Sequence, residues 1–171
     1  MSDASAELRA VQAPLKERYR DDATAAVIVL SAAASLDAAG VACRVETGRA
    51  LVEAGLHPAT GGSGLQVCSG DMLLQALVAC AGVTLRAVAT ALDIVVRNGS
   101  VEAEGDLDVR GTLGVSKDAP VGFRAIRLRF LLDTDATPEQ QATLLKLSER
   151  YCVVLQTLRT PAAITATIAA R

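Results

Sequence analysis

Two cysteines stand where thiol redox chemistry could be done. Cys80 lies in the apolar run Met72-Leu-Leu-Gln-Ala-Leu-Val-Ala-Cys80-Ala-Gly-Val-Thr-Leu85, and Cys152 follows about seventy residues later in Glu149-Arg-Tyr-Cys152-Val-Val-Leu-Gln-Thr-Leu158. A thiolate can attack an O–O bond and become a sulfenic acid, and a second thiol can condense with it to a disulfide. Free cysteine is also common core filler, so the two residue types alone leave both readings open. The remaining cysteines are Cys43 and Cys68; no C-x-x-C occurs and His57 is the single histidine, so a zinc site is not expected.

Composition narrows the function classes. The chain has 171 residues and is 51% hydrophobic against 21% charged, which suits one globular domain and not a disordered chain. A formal net charge of -2 offers no electrostatic footprint for nucleic acid. With two Tyr, two Phe and no Trp, stacking platforms for bases are not expected. The acidic, polar start Met1-Ser-Asp-Ala-Ser-Ala-Glu lacks a secretory pattern, and the run around Cys80, broken by Gln75 and ended by Arg86, reads as too short to span a bilayer. The expectation is a cytoplasmic protein without a membrane partner, in which a disulfide would be catalytic or transient.

Both cysteines need elements to position them. Residues 1–24 read as a flexible or helical lead, and residues 25–171 as a single domain. Strands are expected at Ala26–Leu30, Val41–Glu46 and Ala50–Glu53, with the Gly61-Gly-Ser-Gly64 loop following. Ser69 is the expected N-cap of a long helix running to about Leu92, with Asp71 at its positive end. Its apolar residues wrap most of the circumference, the pattern of a buried helix. Val101–Val109 alternates apolar with charged residues, as does Ile126–Asp133, which predicts an antiparallel pair with one wet face and cross-strand ion pairs. Thr137-Pro-Glu-Gln140 opens a second helix through a capping box, continuing to Leu158. Ile164–Ile168 reads as a last strand. The order is α+β.

Ser69-Gly-Asp-Met-Leu-Leu-Gln-Ala-Leu-Val-Ala-Cys80 resembles the signature of the OsmC/Ohr family, the osmotically inducible and organic hydroperoxide resistance proteins, and Cys152 stands where that family carries its second cysteine. The resemblance covers roughly residue 25 to the C-terminus. It implies two antiparallel sheets around two long buried helices in an intertwined homodimer, with the site at the dimer interface. It assigns Cys80 the peroxidatic role and Cys152 the resolving role, and it implies a thiol-dependent reductase of organic hydroperoxides that needs no cofactor or metal and is recycled by an external thiol reductant. A second reading is a non-catalytic dimer of the same fold, binding or structural, with vestigial cysteines.

The sequence departs from the Ohr pattern in ways that matter. The family's glutamate ten residues before the first cysteine is Gly70 here, and Asp71 stands nine before, as in other OsmC-like branches. Proline often follows the second cysteine; this chain has Val153. Cys80 lies too far along its helix for the dipole to help, and its apolar setting should raise its pKa. A guanidinium must then activate it, and Arg44 and Arg49 lie in the appropriate part of the chain. Glu149, one turn before Cys152, could pair with an arginine. The substrate pocket should be apolar and lined by Met72, Leu73, Leu77 and the late helix, which favours alkyl hydroperoxides over hydrogen peroxide.

Overall fold

In a computed structural model, the described residues are 51–114 and 116–169, the strand backbones 33–36 and 42–46, and the isolated positions 6, 10, 12 and 13. Most of the expected N-terminal lead, the expected strand at Ala26–Leu30, and Arg49 lie outside them.

The chain is α+β, with most of its strand pairing antiparallel. Strands β1 (Ala33–Leu36), β2 (Ala42–Glu46) and β3 (Leu51–Gly55) form an antiparallel meander, with Arg44 opposite Glu53 in the β2–β3 register and Cys43 opposite Ala54. The two-residue strand β4 (Val67–Cys68) adds to β3 in parallel and leads straight into helix α1 (Ser69–Ala91). Strand β1 was not expected, because the alanine-rich stretch that forms it carries little β propensity.

A second sheet is the hairpin of β5 (Asn98–Leu107) and β6 (Phe123–Asp133). The strand pattern extends to Leu107 only. Val109, expected in the strand, belongs instead to the one-turn helix α2 (Val109–Thr112), which Asp108 caps. On the wet face of the hairpin, Arg127 reaches Asp106 at 2.6 Å and Glu104 at 3.2 Å, and Arg129 lies 4.0 Å from Glu102. The opposite face lays Val101, Ala103, Ile126, Leu128 and Phe130 against α1 and the late helices.

Helix α3 (Pro138–Tyr151) starts as its sequence requires: Thr137 accepts from the Gln140 N–H, and the Gln140 side chain accepts from the Thr137 N–H at 2.9 Å. The expected single helix to Leu158 is two: α3 ends at Tyr151 and α4 spans Val153–Arg159. Leu144, Ser148 and Cys152 form one buried stripe of this segment. Leu144 packs with Leu85, Val88 and Ala89, while Cys152 packs with Leu77 and Ala81, so α3 runs antiparallel to α1.

Three expectations change. The N-cap of α1 is Cys68, not Ser69, and it makes no side-chain cap bond. Helix α1 is long and apolar enough to cross a membrane, contrary to the shorter run read from its sequence; its packing between the β5–β6 hairpin and α3 gives it the role of a core helix instead. Within one chain only part of that helix is covered: Leu73 is 38% and Val83 73% exposed. Ile164–Ile168 is not a strand; it has no sheet partner among the described residues, and Ile164 and Ile168 are almost wholly exposed.

Candidate functional site

Helices α1, α3 and α4 bring Cys80 and Cys152 together. Cys80, half-buried on α1, faces Cys152 closely enough for the two thiols to interact, and both are free. Around them Leu77, Ala81, Val154, Leu155 and Leu158 make an apolar cluster roofed by the β5–β6 hairpin.

The break at Cys152 creates the local chemistry. Cys152 is extended, with φ -74° and ψ 106°, although its N–H still bonds the Ser148 carbonyl at 3.0 Å and its carbonyl accepts from Gln156 N–H at 2.9 Å. In an unbroken helix the Val153 N–H would bond the Glu149 carbonyl. Here it faces the Cys80 sulfur, as does the Val154 N–H. The Glu149 carbonyl is satisfied instead by the Gln156 side-chain amide at 2.7 Å, and the Glu149 carboxylate by Arg159 at 2.8 Å. Two side chains thus clasp the break. The chain makes it without the proline that Val153 replaces.

The two thiols are pushed in opposite directions. Burial raises the Cys80 pKa, but the Val154 N–H, the Cys152 thiol, the Thr84 hydroxyl and the Val153 N–H together outweigh it, and the net direction is downward. Burial likewise raises Cys152; the N–H groups of Leu155 and Val154 oppose this, Cys80 adds to it, and the net direction is upward. The expectation that Cys80 would be raised is therefore corrected. It treated the thiol as surrounded by hydrocarbon, whereas the break in the late helix aims donors at it. No guanidinium among the described residues acts on the sulfur. The side chain of Arg44 and all of Arg49 lie outside them.

Other candidates fall elsewhere. Asp71 precedes Cys80 by nine residues, two and a half turns, and so points to the other face of α1. That face borders a cavity of about 680 Å³ lined by His57, Gln66, Cys68, Asp71, Gln75 and Glu102 among others. It is larger than the cavity that adjoins the thiol cluster, and neither Cys80 nor Cys152 is among the lining residues of either. His57 caps the turn Pro58–Thr60, its Nδ1 accepting from the Ala59 N–H at 3.0 Å. A second cavity, of about 400 Å³, adjoins the thiol cluster through Leu77, Leu155 and Leu158 and is completed by Phe123, Phe130 and Leu145, with Arg124 and Arg159 also on its lining. Leu77 and the late helix line it as expected; Met72 and Leu73 do not.

Two contributing residues escaped the sequence reading. Thr84 was legible only as i+4 from Cys80. Phe123 gave no signal: its ring occupies the space that a Cβ at Gly105 would need, and it lies 3.4 Å from where a Cβ at Gly70 would be.

Comparison with known proteins bears on the family and the fold. The family model described as OsmC-like protein matches residues 62–167. No curated protein matches the chain. Among solved structures, an OsmC-like protein from Mycoplasma pneumoniae is similar at TM-score 0.66 and 16% identity, over 78% of this chain and 89% of its own. An organic hydroperoxide resistance protein OsmC from Legionella pneumophila gives 0.61 at 17%, over 78% and 91%. The organic hydroperoxide resistance protein OhrB of Bacillus subtilis gives 0.52 at 18%, over 78% and 93%. With more than half of its length matched by the family model and its fold shared with these proteins, the chain belongs to the OsmC family.

Proposed function

We propose that this protein is a thiol-dependent peroxidase that reduces organic hydroperoxides. The observation that carries the reading is the pair of adjacent free thiols whose acidities are shifted in opposite directions, Cys80 downward and Cys152 upward. The Cys80 thiolate attacks one oxygen of the O–O bond. An S–O bond forms as the O–O bond breaks, the alkoxide takes a proton to leave as alcohol, and Cys80 becomes a sulfenic acid. Cys152 then gives up its proton, its sulfur bonds that of Cys80, and the S–O bond breaks with release of water. An external dithiol reduces the disulfide. The cavity of about 400 Å³ beside Leu77 suits the hydrocarbon part of an alkyl hydroperoxide.

The working unit in this reading is a cytoplasmic homodimer. Support comes from the uncovered part of α1 and from the extended tail with Ile164 and Ile168 exposed, surfaces that a second copy would cover. Arg44 and Arg49 remain the proposed source of an activating guanidinium, and Asp71, on the other face of α1, is proposed only as an acid suited to the positive end of that helix.

The test is turnover of an alkyl hydroperoxide with dithiothreitol as reductant. Wild type should consume it, Cys80→Ser should not, and Cys152→Ser should stop at a sulfenic acid that dimedone traps. If reduced wild type leaves the hydroperoxide untouched, the non-catalytic dimer becomes the better account. The feature favouring that alternative is the lack of a cation acting on Cys80 among the described residues.

A further inference from the structure

We infer that Gln156 is a positioning residue of the proposed reaction: its side-chain amide holds open the helix break at Cys152 that seats α4 against the two thiols. At Cys152 ψ is 106°, far from the helical value of about -42°, so the Val153 N–H turns away from the Glu149 carbonyl it would otherwise bond. The Gln156 amide donates to that carbonyl at 2.7 Å, while the Gln156 N–H bonds the Cys152 carbonyl at 2.9 Å. One residue therefore straddles the break. Arg159, three residues on and so on the same face of α4, meets the Glu149 carboxylate at 2.8 Å. That ion pair is the weaker hold, because the Arg159 and Glu149 side chains are 51% and 37% exposed and water screens them.

The helical period shows what the break achieves. Leu144, Ser148 and Cys152 make the buried stripe of this segment. At 3.6 residues per turn an unbroken helix would carry that stripe on through Leu155 and Arg159, with Gln156 at its edge. A guanidinium would then be driven toward the apolar cluster of Leu77, Ala81 and Cys80, at a desolvation cost. With the break, Gln156 and Arg159 are exposed, and Val154, Leu155 and Leu158 complete the cluster around Cys80 and Cys152. Leu155 and Leu158 also line the cavity of about 400 Å³. Val153 keeps an N–H that would rejoin the two helices if the Glu149 carbonyl were free, and Gln156 occupies that carbonyl.

The inference rests on the peroxidase reading for its use, and its test needs no peroxide. The full-length protein is equilibrated in glutathione buffers. Cys80 and Cys152 with one oxidised glutathione give the disulfide and two reduced glutathiones, and mass spectrometry of the alkylated peptides gives the equilibrium constant. Gln156→Met keeps the bulk and removes the donor, and it should lower that constant about fivefold, the scale of one hydrogen bond. The same substitution is then made in a Val153→Pro background. Proline has no N–H with which to rejoin the helices, and it favours the extended conformation already found at Cys152. There Gln156→Met should change the constant by less than about twofold. An unchanged constant in Gln156→Met alone overturns the inference, as does an equal fall in both backgrounds, which would assign the effect to general loosening of α4. A wild type that forms no Cys80–Cys152 disulfide overturns it as well. Gln156→Ala repeats the comparison should the methionine variant fail to fold. A wild type that shows the Gln156 effect yet leaves hydroperoxide untouched retains this inference and refutes the peroxidase.

Discussion

Truncating Leu77 to alanine tests whether the dithiol rests on the helix crossing described above. Leu77 is fully buried, packs with Ala81 and Cys152, and precedes Cys80 by less than one turn. Leu77→Ala removes roughly three carbon groups at about 0.8 kcal/mol each, or about 2.4 kcal/mol of transfer free energy. The hole left behind adds to this. The neighbouring space of about 400 Å³ already opens beside Leu77, so the void joins it and does not collapse. A total of about 3–4 kcal/mol is expected, within the range of about 2–5 for such substitutions. For a chain of this size that lowers Tm by roughly 6–16 °C. The assay is urea unfolding of the reduced protein at fixed protomer concentration, since oligomerisation would otherwise move the midpoint. The denaturant slope should be unchanged, because the same surface is exposed on unfolding. A loss below about 1 kcal/mol would refute the packing argument: Leu77 would not then be the side chain that seats α1 against Cys152.

Three further outcomes are expected. In alkylation mapped residue by residue, the midpoint of Cys80 should lie below the ordinary thiol value of 9.0 and that of Cys152 above it; because the folded Cys80 is shifted downward, its reactive form is lost only as pH falls through the lowered value, and faster modification of Cys152 than Cys80 at neutral pH would reverse the proposed roles. Gly105→Ala should cost about 1–3 kcal/mol in the same unfolding assay, because its Cβ would lie 2.5 Å from Phe123 Cε1 and push the ring off the hairpin; a neutral result would mean that Phe123 moves aside freely. Placing aspartate at both Ile164 and Ile168 should dissociate the proposed dimer in light scattering while a single-chain fold remains, and an unchanged mass would remove the tail from the interface.

The α+β order, the β5–β6 alternation with its charge pairs, and the Thr137–Gln140 capping box were legible in the residues, because each is a local pattern with a local cause. So was family membership, carried by the spacing of residues from Ser69 to Cys80 and the later Cys152. The strand β1 was not, since alanine runs carry no strand period. The strand expected at Ile164–Ile168 has the right alternation, but a strand needs a partner and the described residues supply none. The acidity of Cys80 could not be read from its own neighbourhood, which apart from Thr84 is apolar. It depends on one residue out of helical phase at Cys152, held by Glu149, Gln156 and Arg159, which turns two backbone donors toward a helix about seventy residues away in sequence. Sequence alone thus named the two thiols proposed to react. Tertiary structure decided which of the two thiols is shifted toward the thiolate form, because pKa is set by what faces a sulfur in space and not by what precedes it in the chain.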